Sequence, residues 1–269
     1  MANQRPRGAR PTDRRQYPIA VFDSGLGGIS VLRELRSLMP NEHYLYFGDS
    51  ANAPYGTRPL DEVRALTLRN IGMLYERGIK AAVIACNTAT SAAVSVLRER
   101  FQDIPVFGME PALKPAALAH PGGTVLVMAT PLTLREEKFS HLMEHYRDGV
   151  RIVPLACPEL VEFVERGELE SGALSRYLHE KLDCYRASAD AAVLGCTHFP
   201  FLRAAIRNVL GDHVALYDGG RGTARQTQRQ LALLNLLAPA EQNGSVVLEN
   251  SQNDPKEAAL SAFLLSQST

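Results

Sequence analysis

The sequence predicts an α/β protein of two pseudo-symmetric lobes, each with a mainly parallel sheet covered by helices, and an active site in the cleft between them. Three observations carry this expectation. Short apolar runs alternate with stretches of helical periodicity along most of the chain. The runs are apolar throughout instead of alternating with polar residues, the mark of strands buried on both faces, as parallel strands are. The pattern restarts after Gly108-Met109-Glu110-Pro111. The expected division is an Arg-rich disordered arm (1–16), a first lobe from 17–108 plus 219–269 carrying Cys86, and a second lobe from 109–218 carrying Cys196.

In the first half, Ile19 to Phe22 reads as a strand, followed by helical spacing at Leu26, Ile29, Leu32, Leu35 and Leu38. Tyr44 to Phe47 is a second strand. Leu60 to Tyr75 is a long helix with Val63, Leu66, Ile71 and Leu74 on one stripe. Ala81 to Ala85 is a third strand, Ala89 to Phe101 a helix, and Ile104 to Phe107 a fourth strand that Pro105 confines to an edge or a short length. After the restart, Ala112 to Leu118 is a short helix, Thr124 to Met128 a strand, Leu132 to Tyr146 a helix and Arg151 to Leu155 a strand. Helical stretches follow at Glu159–Arg166 and Ser171–Arg186. Ala191 to Leu194 is a strand, Pro200 begins a helix, Val214 to Tyr217 is a strand and Ala224 to Leu237 a helix. Ser245–Glu249 and Pro255–Leu265 close the chain as a strand and a helix.

Composition excludes several classes of function. The 29 basic and 29 acidic side chains cancel, so there is no electrostatic footprint for nucleic acid. No apolar run approaches the roughly 18–20 residues of a membrane span. Met1 to Gln16 holds five arginines with Pro6, Pro11 and Gly8 and almost no aliphatics, so it cannot bury apolar surface. Arg14-Arg15 is not followed by an uninterrupted apolar run or a small-residue cleavage site, so export is rejected and the expected location is the cytoplasm. Cys86, Cys157, Cys184 and Cys196 are then expected as thiols.

The residues with chemistry cluster where strands give way to helices. Ala85-Cys86-Asn87-Thr88-Ala89-Thr90 and Gly195-Cys196-Thr197-His198-Phe199-Pro200 repeat one grammar: an apolar strand, a small residue, a cysteine, then amide or hydroxyl groups and a helix. A helix N-terminus at such a turn lowers a thiol pKa and favours thiolate. Cys157, before Pro158, and Cys184, on a helix, read as packing residues. Asp23-Ser24-Gly25-Leu26-Gly27-Gly28 follows a strand, but its G-x-G-x-x-G frame reaches Ser30, and Asp23 would set a carboxylate beside a pyrophosphate. The glycines instead permit a tight turn with N–H groups suited to a small carboxylate. Asp23 ends its strand at the cleft edge, where a perturbed carboxyl is useful.

Cys196-x-His198 lacks the further ligands of a zinc site, so no metal is expected. The five lysines lie on polar helical faces or loop edges, which argues against a Schiff base. Two thiols on opposite walls of a cleft suit removal of a carbon-bound proton from one face and its replacement from the other. Asn87, Thr88, Thr133, Thr197 and Ser24 supply donors for a substrate carboxylate. From the residues alone a cysteine hydrolase stays open, with Cys196 as nucleophile and His198 as base. It leaves Cys86 unexplained, and residues so close in one tight loop are not expected to face each other.

Five collinear motifs carry a resemblance: Asp23 to Gly28; Gly48-Asp49 with Pro54-Tyr55-Gly56; Ala85 to Thr90; Glu110-Pro111-Ala112; and Gly195 to Pro200. Together, over about Pro18 to Thr223, they closely resemble the glutamate branch of the cofactor-independent aspartate/glutamate racemase family. The resemblance implies interconversion of L- and D-glutamate without a cofactor, supplying D-glutamate for peptidoglycan. It implies Cys86 as the base acting on D-glutamate, assisted by Asp23, and Cys196 as the base acting on L-glutamate, assisted by His198. Glu165 takes the place of the family's acidic helper. Ser24, Tyr55, Gly56, Asn87, Thr88 and Thr197 would hold the substrate. A homodimer and a peptidoglycan-precursor activator are further implications, and action on a related amino acid such as aspartate is the alternative within the family. Three departures stand out: Pro131 within the Thr130-to-Thr133 loop, Arg135 to Phe139 without the usual small and tyrosine residues, and Gly219 in place of a serine.

Overall fold

The computed structural model describes residues 13–267. Residues 1–12 of the expected arm lie outside them. The last residues of that arm are ordered, contrary to expectation. Asp13 accepts the Arg15 N–H and caps a 3-10 turn at Arg14–Gln16. The turn is anchored because Lys80 donates to the Arg15 carbonyl at 2.6 Å.

The first lobe begins with strand β1 (Ile19–Asp23), helix α1 (Ile29–Leu38) and strand β2 (His43–Gly48). Helix α2 (Leu60–Glu76), strand β3 (Ala81–Ile84), helix α3 (Asn87–Arg100) and strand β4 (Val106–Gly108) follow. The second half runs through helix α4 (Leu113–Ala119), strand β5 (Thr124–Ala129), helices α5 (Pro131–Arg135) and α6 (Glu137–Tyr146), and strand β6 (Arg151–Ala156). It continues with helices α7 (Glu159–Glu165) and α8 (Gly172–Leu182), strand β7 (Ala191–Leu194), helix α9 (Arg203–Leu210) and strand β8 (Ala215–Asp218). Helix α10 (Gly220–Leu233), strand β9 (Ser245–Asn250) and helix α11 (Pro255–Ser266) complete the chain.

Two sheets result, with strand orders β4-β3-β1-β2-β9 and β6-β5-β7-β8, and every strand pair in both is parallel. The fold class is therefore the one the apolar runs imply. β4 is short and lies at an edge, as Pro105 dictates, and Pro154 is likewise carried on the edge strand β6. The central strands β1, β3 and β7 are buried along their whole length.

Three boundaries differ from the expectation for local reasons. The helical periodicity from Leu26 begins as a turn, and α1 starts only at Ile29, after Gly28. The expected helix over Leu132–Tyr146 breaks at Glu136, which is extended, and this lets Phe139 turn into the core. α10 starts four residues early, because Asp218 Oδ1 accepts the Gly220 N–H at 2.9 Å and steadies its first turn.

The expectation that the lysines lie on polar faces fails at Lys80. It is 0 % exposed and pairs at 2.5 Å with Glu42, itself 2 % exposed. Burial pulls the ammonium down from its ordinary range, while the bond to Glu42 works against this. Glu42 Oε1 also accepts the Ala238 N–H at 2.8 Å, so one ion pair ties together the starts of β2 and β3, the N-terminal turn and the segment before β9. A buried pair of this kind resists the loss of one member more than the loss of both. Lys80→Met should cost roughly 3–5 kcal/mol, read from urea unfolding. Adding Glu42→Gln, which removes the orphaned charge and keeps an acceptor for Ala238, should recover most of it.

Candidate active site

In an open parallel sheet a ligand crevice forms beyond the strand carboxyl ends, at the point where the strand order reverses. In the first sheet that point lies between β1 and β3, and in the second between β5 and β7. β1 ends in Asp23, β3 leads into Cys86, β5 into Thr130 and β7 through Gly195 into Cys196. Topology alone thus brings both cysteines to reversal points.

Cys86 stands at the N-cap of α3 and is 6 % exposed. Its Sγ accepts the Ala89 N–H at 3.4 Å and lies 3.6 Å from the Ser24 hydroxyl. The helix N-terminus was expected to favour thiolate, but burial outweighs it. Burial and the nearby Asp23 charge push the Cys86 thiol up to about 12, against the pull of the Ala89 and Ser24 donors. Cys86 is therefore a thiol at neutral pH. The Cys196 charge also contributes to this rise, so the two thiols lie within electrostatic reach of each other.

Cys196 is 8 % exposed. His198 does face it, contrary to the expectation for one tight loop, with Nδ1 3.6 Å from Sγ. The reversal is geometric: the chain turns at Cys196, with the Phe199 N–H donating to the Cys196 carbonyl, and His198 folds back across the turn. His198 Nε2 lies 2.5 Å from Glu165 Oε1. Burial opposes charging the imidazole, but its bonds to Cys196 and Glu165 prevail and hold it well above its ordinary value. Glu165, at the end of α7, also accepts the Leu26 N–H at 2.8 Å.

The glycine loop of the first lobe packs directly on this pair. A methyl at Gly25 would overlap Glu165, and one at Gly27 would overlap His198 and Thr197. Asp23 is 0 % exposed; Oδ1 accepts the Gly25 N–H at 2.9 Å and Oδ2 accepts the Thr197 hydroxyl at 3.0 Å. Burial raises its carboxyl above the usual range, opposed by the His198 charge and by those two donors. Its hydrogen bonds thus run to the loop and to the opposite lobe, and it acts on Cys86 through its charge. Ser30 adds a bridge the sequence did not single out, donating to the Thr197 carbonyl at 2.8 Å.

Of the remaining expected site residues, Asn87 is the most telling. It is 4 % exposed, and neither amide atom has a hydrogen-bond partner among the described residues. A buried orphan amide is costly unless something arrives to bind it. Thr88, Thr130 and Thr133 form a triangle of buried hydroxyls at 3.0–3.2 Å. Thr130 was not among the expected site residues, although its place at the end of a central strand marked it. Tyr55 donates its hydroxyl to Asp49 at 2.6 Å. Gly56 packs against the Thr130 side chain, where a methyl would overlap it.

The three departures have local accounts. Pro131 occupies the first turn of α5 behind the Thr130 cap, where its missing N–H costs nothing. Phe139 is a core residue. Gly219 lies against the Glu110 carbonyl, which a methyl would overlap, so the two connections between the lobes pass backbone to backbone.

The chain matches the family model described as Asp/Glu/Hydantoin racemase over residues 28–227. It is 53% identical to a glutamate racemase of Bifidobacterium animalis subsp. lactis over 252 residues, 92% of this chain and 97% of the relative. It is 47% identical to a glutamate racemase of Clostridium perfringens over 254 residues, 94% of this chain and 98% of that protein. Its fold is similar to the crystal structure of Escherichia coli glutamate racemase in complex with L-glutamate and activator UDP-MurNAc-ala. That match has a TM-score of 0.79 and 33% identity, covering 93% of this chain and 94% of that one.

The Cys86 environment sets a pH signature. A thiol raised above its ordinary 9.0 favours the folded state below that value, and the advantage is lost as pH climbs toward about 12. In the ligand-free protein, Cys86→Ala should remove no ultraviolet thiolate absorbance at neutral pH and should remove it only in strong alkali. Thiolate absorbance lost at neutral pH would contradict the burial argument.

Proposed function

The chain belongs to the Asp/Glu/hydantoin racemase family and is an isomerase, and from that premise we propose that it is a glutamate racemase working through two cysteines. The observation that carries the reading is the placement of Cys86 and Cys196 at the reversal points of separate sheets, within electrostatic reach of each other, bridged by the Asp23–Thr197 hydrogen bond and with different partners. The choice of glutamate follows the named relatives.

With L-glutamate bound, the Cys196 thiolate takes the Cα proton, and the Cys86 thiol gives its own proton to the opposite face. One C–H bond breaks, another forms, and configuration inverts. Cys196 is then a thiol and Cys86 a thiolate, which is the starting state for D-glutamate. His198, whose imidazolium form is favoured by its bonds to Cys196 and Glu165, pairs with the Cys196 thiolate, and Asp23 biases Cys86 toward the thiol. Asn87 holds one end of the substrate together with Ser24 and Thr197, and the Thr88, Thr130 and Thr133 hydroxyls receive a carboxylate, beside the backbone of Tyr55 and Gly56. No cofactor takes part in these steps.

The wider reading includes supply of D-glutamate for peptidoglycan in the bacterial cytoplasm, a homodimer, and a peptidoglycan-precursor activator. The activator has support in the UDP-MurNAc-ala complex of the E. coli protein. Among the described residues no helix is long and apolar enough to cross a membrane. The lobe limits 17–108 with 219–269, and 109–218, belong to the same proposal.

A cysteine hydrolase keeps one observation in its favour, the Cys196–His198 contact. An acyl-enzyme trapped on Cys196 with Cys86 dispensable would establish it. The racemase reading expects L-glutamate incubated in deuterated water to yield D-glutamate labelled at Cα. Cys86→Ala and Cys196→Ala should each lower turnover by about 10²–10⁴-fold. Racemisation without label, or full activity in Cys86→Ala, defeats it. Asn87→Ala should act mainly by raising KM, by about tenfold or more, as one ligand hydrogen bond is lost.

A further inference from the structure

Tyr46, in the middle of β2, is buried at 1 % exposure and takes no part in the chemistry derived so far. Its hydroxyl donates to the Gly25 carbonyl at 2.5 Å. On the other side of that peptide, the Leu26 N–H donates to Glu165 Oε1 at 2.8 Å. The Gly25 carbonyl and the Leu26 N–H belong to one planar trans unit and point in opposite directions, so fixing one fixes the other. The carbonyl is also confined by Gly48, where a methyl would overlap it, and Gly25 itself is held through its N–H by Asp23. Burial, with the nearby Asp23 and Glu165 charges, keeps the Tyr46 phenol well above its ordinary value, so it donates at any working pH.

We propose that Tyr46 is a positioning residue for the Cys196 half of the reaction: it aims the Gly25–Leu26 peptide so that the Leu26 N–H fixes Glu165, which in turn fixes His198 against Cys196. The inference rests on the two-thiol reading above. It concerns one thiol only, because no corresponding hydrogen bond links this peptide to Cys86. The Cys86 sulfur instead accepts the Ala89 N–H and lies beside the Ser24 hydroxyl.

The test is Tyr46→Phe, which removes one hydroxyl and opens no cavity of consequence. Enantiomers are equal in free energy, so kcat/KM must fall equally in both directions, by about threefold to tenfold for one oriented hydrogen bond. The asymmetry shows in the Cα-deuterium isotope effects. With deuterated L-glutamate, abstraction by Cys196 becomes more fully limiting and the effect on kcat/KM grows. With deuterated D-glutamate, abstraction by Cys86 becomes reversible before a slow delivery by Cys196, and the effect shrinks. Gly48→Ala sets a methyl against the same carbonyl and should give the same pattern, and it carries the test if Tyr46→Phe does not fold. Tyr44→Phe, on the same strand as Tyr46, loses a buried hydroxyl that donates to the Leu35 and Met39 carbonyls at the end of α1 and should leave the two isotope effects in their wild-type ratio. Equal changes from both enantiomers, or none, in folded Tyr46→Phe overturn the proposal while the wild type still exchanges its Cα proton. A wild type that exchanges no Cα proton overturns the two-thiol reading and this inference with it.

Discussion

The cleft is organised around a carboxyl that has no access to water. Asp23 ends a fully buried strand, and each of its oxygens accepts a hydrogen bond, one from the Gly25 N–H of its own loop and one from the Thr197 hydroxyl of the opposite lobe. A buried carboxyl lacking such donors would carry a large desolvation cost, so the two lobes must meet at this spacing for Asp23 to be tolerated. The glycines follow from that requirement. The loop has to run close enough to Thr197 and His198 to make the bond, and side chains at Gly25 or Gly27 would occupy the space taken by Glu165, His198 and Thr197. A stretch that reads as a phosphate-type turn is thus a spacer whose lack of side chains lets one lobe's backbone lie against the other lobe's ionisable pair.

The same spacing separates the fates of two similar turns. Cys86 and Cys196 each follow a buried strand and a small residue. Around Cys86 burial and the Asp23 charge act in the same direction and outweigh the Ala89 and Ser24 hydrogen bonds, so the thiol keeps its proton. Beside Cys196 stands the His198 ring, with Nδ1 at 3.6 Å, and its bonds to Cys196 and Glu165 favour the imidazolium against its own burial. A helix N-terminus contributes partial charges worth about a kcal/mol, too little to overcome full desolvation. The sequence grammar is symmetric, whereas the electrostatics are not.

What could be read from the chain and what could not divide along physical lines. Strand burial, the parallel sheets, the positions of both cysteines and the edge role of the Pro105 run depend on local pattern, and all were legible. So was Glu165, though only through resemblance, since nothing local distinguishes it from Glu162 one turn earlier. The Lys80–Glu42 pair escaped because it joins residues 38 positions apart, and an isolated lysine before a strand reads as solvated. Thr130 and Tyr46 escaped for a related reason. Tyr46 looks like an ordinary strand residue and Thr130 like an ordinary helix cap, and the significance of each lies in which backbone or hydroxyl group the other elements bring against it. The break at Glu136 is tertiary too, because helix propensity favours continuation and the burial of Phe139 overrides it.

On the proposed chemistry the asymmetry has a consequence for turnover. A catalyst that runs in both directions must occupy two protonation states, one with Cys196 ionised and one with Cys86 ionised, and burial in the ligand-free site disfavours the second. Each turnover from L-glutamate therefore leaves the site in its less favoured state, with a proton on Cys196 and a charge on Cys86 beside Asp23. Asp23 is the group placed to soften that state. Its burial already inclines it to hold a proton, and a new negative charge nearby inclines it further. It is also joined through Thr197 to the loop that carries His198. The buried carboxyl that sets the distance between the lobes is then the same group that makes the second protonation state affordable, which explains why an ionisable residue, and not a neutral hydrogen-bonding one, stands at the end of β1.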